Sequence, residues 1–218
     1  NEENKQDLLK RSLDLLAKIQ GLPQEEIPKL THDELVDQMH LFKDIFCINF
    51  LEVEPDNSID DLMLLTTENI KQQPLVNCHF DFERRNLILH QNQITVIDHQ
   101  DMKIGPLGID LSGILIDHYY PVNLIDINMM LDYFSKQIKS KHSPEELFNF
   151  LKWGSIQRNM RILGTLANLF TEHKRSFRLK DLPMILSNLE CMIPDNHKSR
   201  FFISEQLKPL LNKKLLDI

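Results

Sequence analysis

The residues able to do chemistry fall in one short stretch of the 218-residue chain. Cys78-His79-Phe80-Asp81-Phe82-Glu83-Arg84-Arg85-Asn86-Leu87 contains His-x-Asp-x-x-x-x-Asn, and Val96-Ile97-Asp98-His99-Gln100-Asp101 is an apolar run that ends in an acid. Between them, Leu87-Ile88-Leu89 and Ile94-Thr95-Val96-Ile97 flank the polar His90-Gln91-Asn92-Gln93, which predicts a β-hairpin centred near Asn92. Asn86 and Asp98 are symmetric about position 92. A hairpin turning there sets them opposite each other at its open end, roughly 4.5–5.5 Å apart at Cα. An amide oxygen and a carboxylate, completed by phosphate oxygens, suit a hard cation such as Mg²⁺. Asp81 enters the same mouth and is expected to take a proton from a hydroxyl. That division of labour belongs to phosphoryl transfer. One acid orients and deprotonates the acceptor, while an Asn and a strand-end Asp hold magnesium beside the phosphates of a nucleotide such as ATP. Arg85, inside the loop, is a candidate for offsetting charge on the phosphoryl group, or else a surface residue.

The elements that must position these residues are mostly helical. Leu8, Leu9, Leu13, Leu15, Leu16 and Ile19 recur at helical spacing over residues 6–20, and Gly21-Leu22-Pro23 ends the run. Thr31 and Glu34 form a capping box for a second helix whose apolar face carries Leu35, Met39, Phe42, Ile45 and Phe46. A third helix is expected to open at Ser58 and to stop near Lys71, before Pro74. Leu75-Val76 is a short apolar run before the hairpin. Beyond it, Asp110 is read as opening one helix and residues 122–139 as forming another. Ser143-Pro144-Glu145-Glu146 starts a helix reaching about Phe170, and Asp181 and Ser204 are read as opening two more. The fold class expected is mainly α with one small β-hairpin. Its divisions are a segment 75–110 with the loop, hairpin and following turn, and a helical, acceptor-side subdomain 111–218, within a single 1–218 body.

Composition narrows the partners. Apolar residues make up 42% and charged residues 26%, the balance of a folded globular domain. A net charge of −7 disfavours tracking a nucleic-acid backbone, which needs Lys and Arg against phosphate. No apolar run approaches the ~20 residues of a bilayer span, so no membrane partner is expected. The polar residues 1–6 lack the pattern of a signal or transit peptide. Cys47, Cys78 and Cys191 are far apart and odd in number, which reads as buried free thiols in a reducing, cytoplasmic setting.

The loop and strand end resemble the catalytic segment of the aminoglycoside phosphotransferase and choline kinase superfamily, and within it the bacterial amino-sugar anomeric kinases. The matching stretches are Leu75 to Leu89, Val96 to Asp101, Gly105-Pro106, Ile109-Asp110-Leu111, and patches from Phe150 to Pro183. His99 stands where that group has an aromatic residue, and Phe80 where it has Arg; neither departure touches the acid or the proposed ligands. The resemblance implies a protein-kinase-like α+β fold with Asp81 as catalytic base, and Asn86 and Asp98 as magnesium and nucleotide ligands. It also implies that His79 supports the loop backbone and that Asp110 is a buried acid steadying the loop. A helix N-cap is the plainer reading of Asp110. The implied reaction is ATP- and Mg²⁺-dependent transfer to a small-molecule hydroxyl. The acceptor it implies is the anomeric hydroxyl of N-acetylmuramate or N-acetylglucosamine in cell-wall recycling.

The N-terminal β-lobe of such a fold, with its phosphate-covering loop and strand Lys, is not found in the sequence. Residues 1–20 read as the helix that follows the interlobe hinge. The chain is therefore expected to be a helical C-lobe, inactive alone, whose partner is the N-terminal lobe of the same protein; a one-lobed protein is the alternative. Rival functions are an aminoglycoside or choline-type kinase, a non-catalytic binding module of kinase descent, and a metallohydrolase built on His79, Asp81, Asp98, His99 and Asp101. Asp101 either faces the acceptor or is solvated. Gln157, Arg158 and Arg161 lie on one helix, with 157 and 161 sharing a face. They are candidates for meeting a carboxylated sugar, and the alternative for each Arg is ordinary solvent-facing charge.

Overall fold

The computed structural model of the chain describes residues 2–138 and 142–218. The end of the helix expected over 122–139 lies outside the described residues. Nine α-helices and four short strands follow in the order α1 (Glu2–Gln20), α2 (His32–Leu41), α3 (Asn57–Lys71), β1 (Leu75–Cys78), β2 (Leu87–His90), β3 (Gln93–Val96), β4 (Lys103–Pro106), α4 (Gly108–Leu115), α5 (Leu124–Gln137), α6 (Pro144–His173), α7 (Leu182–Met192), α8 (Lys198–Phe202) and α9 (Lys208–Leu216) among the described residues. The mainly helical class and one of the two antiparallel strand pairs, β2–β3, are what the apolar spacing predicts.

The chain packs as two compact units, each assembled from separated segments. One comprises residues 1–30, 72–117 and 122–154; the other comprises 31–71, 118–121 and 155–218. In the first, α1 carries Leu13 and Leu16 into a core shared with Cys78, Phe82, Ile109, Leu111, Leu131 and Phe134. Two separate two-stranded sheets lie here. In one, β1 pairs antiparallel with β4, from Leu75 opposite Pro106 to Cys78 opposite Lys103. Strand β4 and its pairing were not legible in the sequence. Residues 28–30 lie along β4, with Ile104 N donating to Pro28 O at 2.8 Å and Leu30 N to Ile104 O at 2.9 Å.

The other sheet is the expected hairpin, with one correction. The ladder runs from Leu87 opposite Val96 to His90 opposite Gln93. Its turn is Gln91-Asn92, both left-handed at φ 45° and 59°, as the two-residue turn matched to strand twist requires. The hairpin axis thus falls between 91 and 92. Asn86 lies opposite Ile97, whose N–H donates to Asn86 O at 2.9 Å, and not opposite Asp98.

The second unit is helical. The Thr31 capping box is present: Thr31 Oγ1 accepts from Glu34 N at 3.2 Å, and Thr31 N donates to Glu34 Oε2 at 2.7 Å. Helix α2 then continues into a π-helical stretch over Phe42–Phe50. Phe42 stacks on Phe46, and Phe50 meets Phe170 edge-on. Helix α6 opens in the first unit, at the expected start, with a capping box in which Glu146 N donates to Ser143 Oγ at 3.2 Å and Ser143 N to Glu146 Oε2 at 2.8 Å. It runs on to His173. Asp181 precedes α7 but does not cap it; its carboxylate takes Arg178 Nε at 2.6 Å instead. Ser204 opens no helix, because the C-terminal helical run begins at Lys198 behind a His197 cap. Cys47 and Cys78 are buried free thiols as expected, but Cys191 is exposed. Among the described residues no helix is long and apolar enough to cross a membrane.

Within the first unit, α4 and the start of α6 touch backbone to backbone. A Cβ on Gly108 would stand 1.9 Å from Phe150 O, and one on Gly154 would stand 2.4 Å from Gly108 C. Gln73 seals the crossing, donating to Phe150 O at 3.0 Å and accepting from Gly108 N at 2.9 Å. Gly108→Ala must push α6 aside. The expected outcome is a loss of about 2–3 kcal/mol, read from the urea midpoint, with Gly21→Ala as a milder control.

Candidate active site

The site is built on residues 79–86, and its geometry starts from Asp110. Helix α4 begins at Gly108, so Asp110 sits in its first turn and is fully buried. Its Oδ2 accepts from His79 N at 2.6 Å and its Oδ1 from Phe80 N at 2.9 Å. The carboxylate therefore caps the loop and not its own helix, which corrects the N-cap reading. Phe80 turns the chain through the left-handed region at φ 68°, a conformation a non-glycine residue holds only when its surroundings fix it. The Phe80 ring rests against β4, where a Cβ on Gly105 would come within 2.9 Å of it. Phe82 is buried as well.

Beyond Phe80 the loop binds itself. Asp81 O accepts from Glu83 N and from Asn86 Nδ2, both at 2.8 Å, and Glu83 O accepts from Asn86 N at 2.9 Å. Asn86 is thereby buried at the foot of β2, with its amide nitrogen committed; its Oδ1 is the atom that could meet a cation. Asp81 is partly exposed. Arg85 Nη2 lies 3.8 Å from Asp81 Oδ2, and Arg85 Nε is ion-paired with the buried Glu83. Glu83 thus aims the guanidinium that stands beside Asp81. Arg84 turns the other way and pairs with the buried Asp117, just beyond α4. Neither Glu83 nor Asp117 was singled out from the sequence. Glu83 had a signal, an acid two residues before Arg85; Asp117 had none.

The strand end is tied to the same loop. His79 Nε2 lies 3.0 Å from Ile97 O. A carbonyl only accepts, so Nε2 carries the proton, and Nδ1 is buried without a hydrogen-bond partner. Burial holds the His79 imidazole below its ordinary pKa, opposed by the carboxylates of Asp81 and Asp98. Asp98 follows Ile97 with φ 68° and is exposed. Its Oδ1 accepts from Gln100 Nε2 at 2.6 Å, which leaves Oδ2 for another partner. Oxygen donors alone, one from a fixed amide and one from a carboxylate, fit a hard divalent cation better than a transition metal. His99 and Asp101 are exposed. Among the described residues no three His, Cys, Asp or Glu side chains gather as a metal-holding group, so the five-residue hydrolase cluster is not assembled.

Gln157, Arg158 and Arg161 belong to the other unit. Gln157 is buried there and donates to Gln38 Oε1 at 2.9 Å and, at 3.4 Å, to Leu35 O. Arg158 is the largest fully buried side chain among the described residues, which rules out its solvent-facing reading. Arg161 is partly exposed.

A loop acid fastened by a buried helix acid, followed by an amide and a strand-end carboxylate, is the arrangement of a phosphotransferase of the kinase-like class. The comparisons agree. Residues 1–126 match the phosphotransferase enzyme family (APH), and the chain belongs to that family. It is 23% identical over 192 residues to the N-acetylmuramate/N-acetylglucosamine kinase of Neisseria meningitidis serogroup B, covering 84% of this chain and 58% of that protein. It is 24% identical over 203 residues to the N-acetylmuramate/N-acetylglucosamine kinase of Pseudomonas aeruginosa, covering 87% of this chain and 59% of that one. The chain thus spans somewhat under two thirds of the length of these relatives.

Asp110→Ala leaves two buried backbone N–H groups without an acceptor. The expected cost is about 3 kcal/mol, with the amides of His79 and Phe80 among the first to lose hydrogen-exchange protection. Unchanged protection at those two amides would contradict the clamp.

Proposed function

We propose that this chain carries the catalytic segment of an ATP- and Mg²⁺-dependent phosphotransferase. Its acceptor is the anomeric hydroxyl of an N-acetylated amino sugar, of the kind salvaged in cell-wall recycling, and the setting is cytoplasmic. One observation carries the reading: a partly exposed Asp81 whose own carbonyl is bridged to Asn86, on a loop fixed from below by Asp110. Family membership supports the reaction class, and the printed names of the two relatives support the amino sugar.

In this reading Asp81 accepts a hydrogen bond from the acceptor hydroxyl and takes its proton as the new O–P bond forms. Asn86 Oδ1 and the open oxygen of Asp98 would hold the metal, and bound magnesium would supply charge neutralisation for the phosphates. Arg85, aimed by Glu83, offsets charge on the transferred group. His79 ties the loop to the strand end, so that Asp81 and Asp98 keep one spacing. The nucleotide's upper surface needs a covering lobe, which we assign to an N-terminal part of the same protein, in keeping with the greater length of the relatives.

The test is steady-state turnover with N-acetylglucosamine in the full-length enzyme. Asp81→Asn is expected to lower kcat at least about a hundredfold, the range of a lost general base, with KM for the sugar little changed. Asp98→Ala is expected to abolish turnover across the accessible magnesium range; unaltered rates would refute its assignment. Residues 1–218 alone are expected to show negligible nucleotide consumption, and robust consumption would overturn the need for a covering lobe.

A further inference from the structure

The ribbon of β2 and β3 carries the proposed metal ligands at its base, yet little of it is packed. It forms a sheet of its own, and no residue of either strand is buried. A two-stranded hairpin by itself is at best marginally stable in water. The base is fastened through Ile97, whose N–H donates to Asn86 O and whose carbonyl meets His79 Nε2. The tip is the Gln91-Asn92 turn, where two non-glycine residues hold left-handed backbone angles. Such angles persist where the surroundings impose them.

Helix α1 supplies a group that does so. Arg11 Nη2 donates to Asn92 O at 2.5 Å, across 81 positions of sequence and within the first unit. The acceptor belongs to one of the two left-handed residues. Arg11 Nη1 also lies 3.5 Å from Asp7 Oδ2, one turn back on the helix, so the guanidinium is held from two directions. Ribbon and helix do not pack flush around this bond. A cavity of about 410 Å³ lies between them, with Leu15 and Lys18 on the helix side and Gln93 and Ile94 on the strand side. Arg11 is therefore a strut. Its charge-assisted hydrogen bond is stronger than a neutral one, and it joins helix to turn where side-chain packing leaves a gap.

We propose that Arg11 is a positioning residue for the metal site. By holding Asn92 it fixes the set of the ribbon, and with it the spacing of Asn86 and Asp98 at the opposite end. This rests on Asn86 and Asp98 being the metal ligands, and it adds α1 as the element that presents them. Arg11 acts through the ribbon and touches neither the metal nor the acceptor.

Two measurements test it. In the 1–218 chain, Arg11→Ala is expected to speed amide exchange about tenfold at Ile88 and Thr95, which face each other in the ladder. The amides of His79 and Phe80, held by Asp110, are expected to keep their protection and so report that the fold is intact. Arg11→Lys retains a charged donor and is expected to give a smaller change. In the full-length enzyme, Arg11→Ala is expected to raise the magnesium concentration for half-maximal turnover about threefold, with kcat at saturating magnesium within about twofold of wild type. Unchanged exchange at Ile88 and Thr95 overturns the strut. Faster exchange there with an unchanged magnesium requirement overturns the positioning role. If Arg11→Ala also releases His79 and Phe80, the same two outcomes are read from Arg11→Lys. The ligand assignment falls separately, on unaltered turnover in Asp98→Ala, and the exchange measurement stands apart from that result.

Discussion

The chemistry proposed for this chain depends on one buried carboxylate. Asp110 takes two consecutive backbone N–H groups, from His79 and Phe80, at the point where the chain makes a left-handed turn. A carboxylate removed from water is unfavourable unless its oxygens are satisfied, and a left-handed Phe is unfavourable unless something fixes it. Each condition answers the other. The acid gains two charge-assisted hydrogen bonds, and the turn gains a rigid reason to exist. The next residue is Asp81, so the acid proposed to face the acceptor inherits its position from a side chain 29 positions later in the sequence.

From that anchor, order spreads outward through groups that are each spent on a neighbour. Asn86 commits its amide nitrogen to Asp81 O, His79 commits Nε2 to Ile97 O, and Glu83 commits its carboxylate to Arg85. On the open side of the loop stand Asn86 Oδ1 and one oxygen of Asp98, with the carboxylate of Asp81 paired to Arg85. Phosphoryl transfer asks a protein for little else at this end of the reaction.

Much of this was legible in the residues. The Thr31 and Ser143 capping boxes, the third helix and the hairpin follow from local chemistry, because caps and alternation act over a few positions. The register of the hairpin did not. A symmetric reading placed Asn86 opposite Asp98, whereas the two-residue turn at Gln91-Asn92 sets Asn86 opposite Ile97. The usual glycine that advertises such a turn is absent here, and two left-handed non-glycine residues take its place. Strand β4 escaped notice because its partner β1 lies 25 or more residues earlier, and pairing over that distance leaves no local trace. Asp181 and Ser204 look like caps in sequence, yet tertiary partners claim Asp181, and the helix around Ser204 begins upstream. The interior placement of Gln157 and Arg158 depends on which helices surround α6, which its own periodicity does not encode.

The β1–β4 pair has a topological consequence. Its last rung joins Cys78 to Lys103, so everything from His79 to Met102 leaves and re-enters the scaffold at a single doorway. The loop, the hairpin and the strand-end acid form a closed excursion whose entropy of closure is met by the ribbon beneath, not by the reacting groups. The excursion is fastened at further points to the helices, by Asp110 on His79 and Phe80, by the buried Phe82 and by Arg84 on Asp117, so the loop that bears Asp81 shares the rigidity of the core.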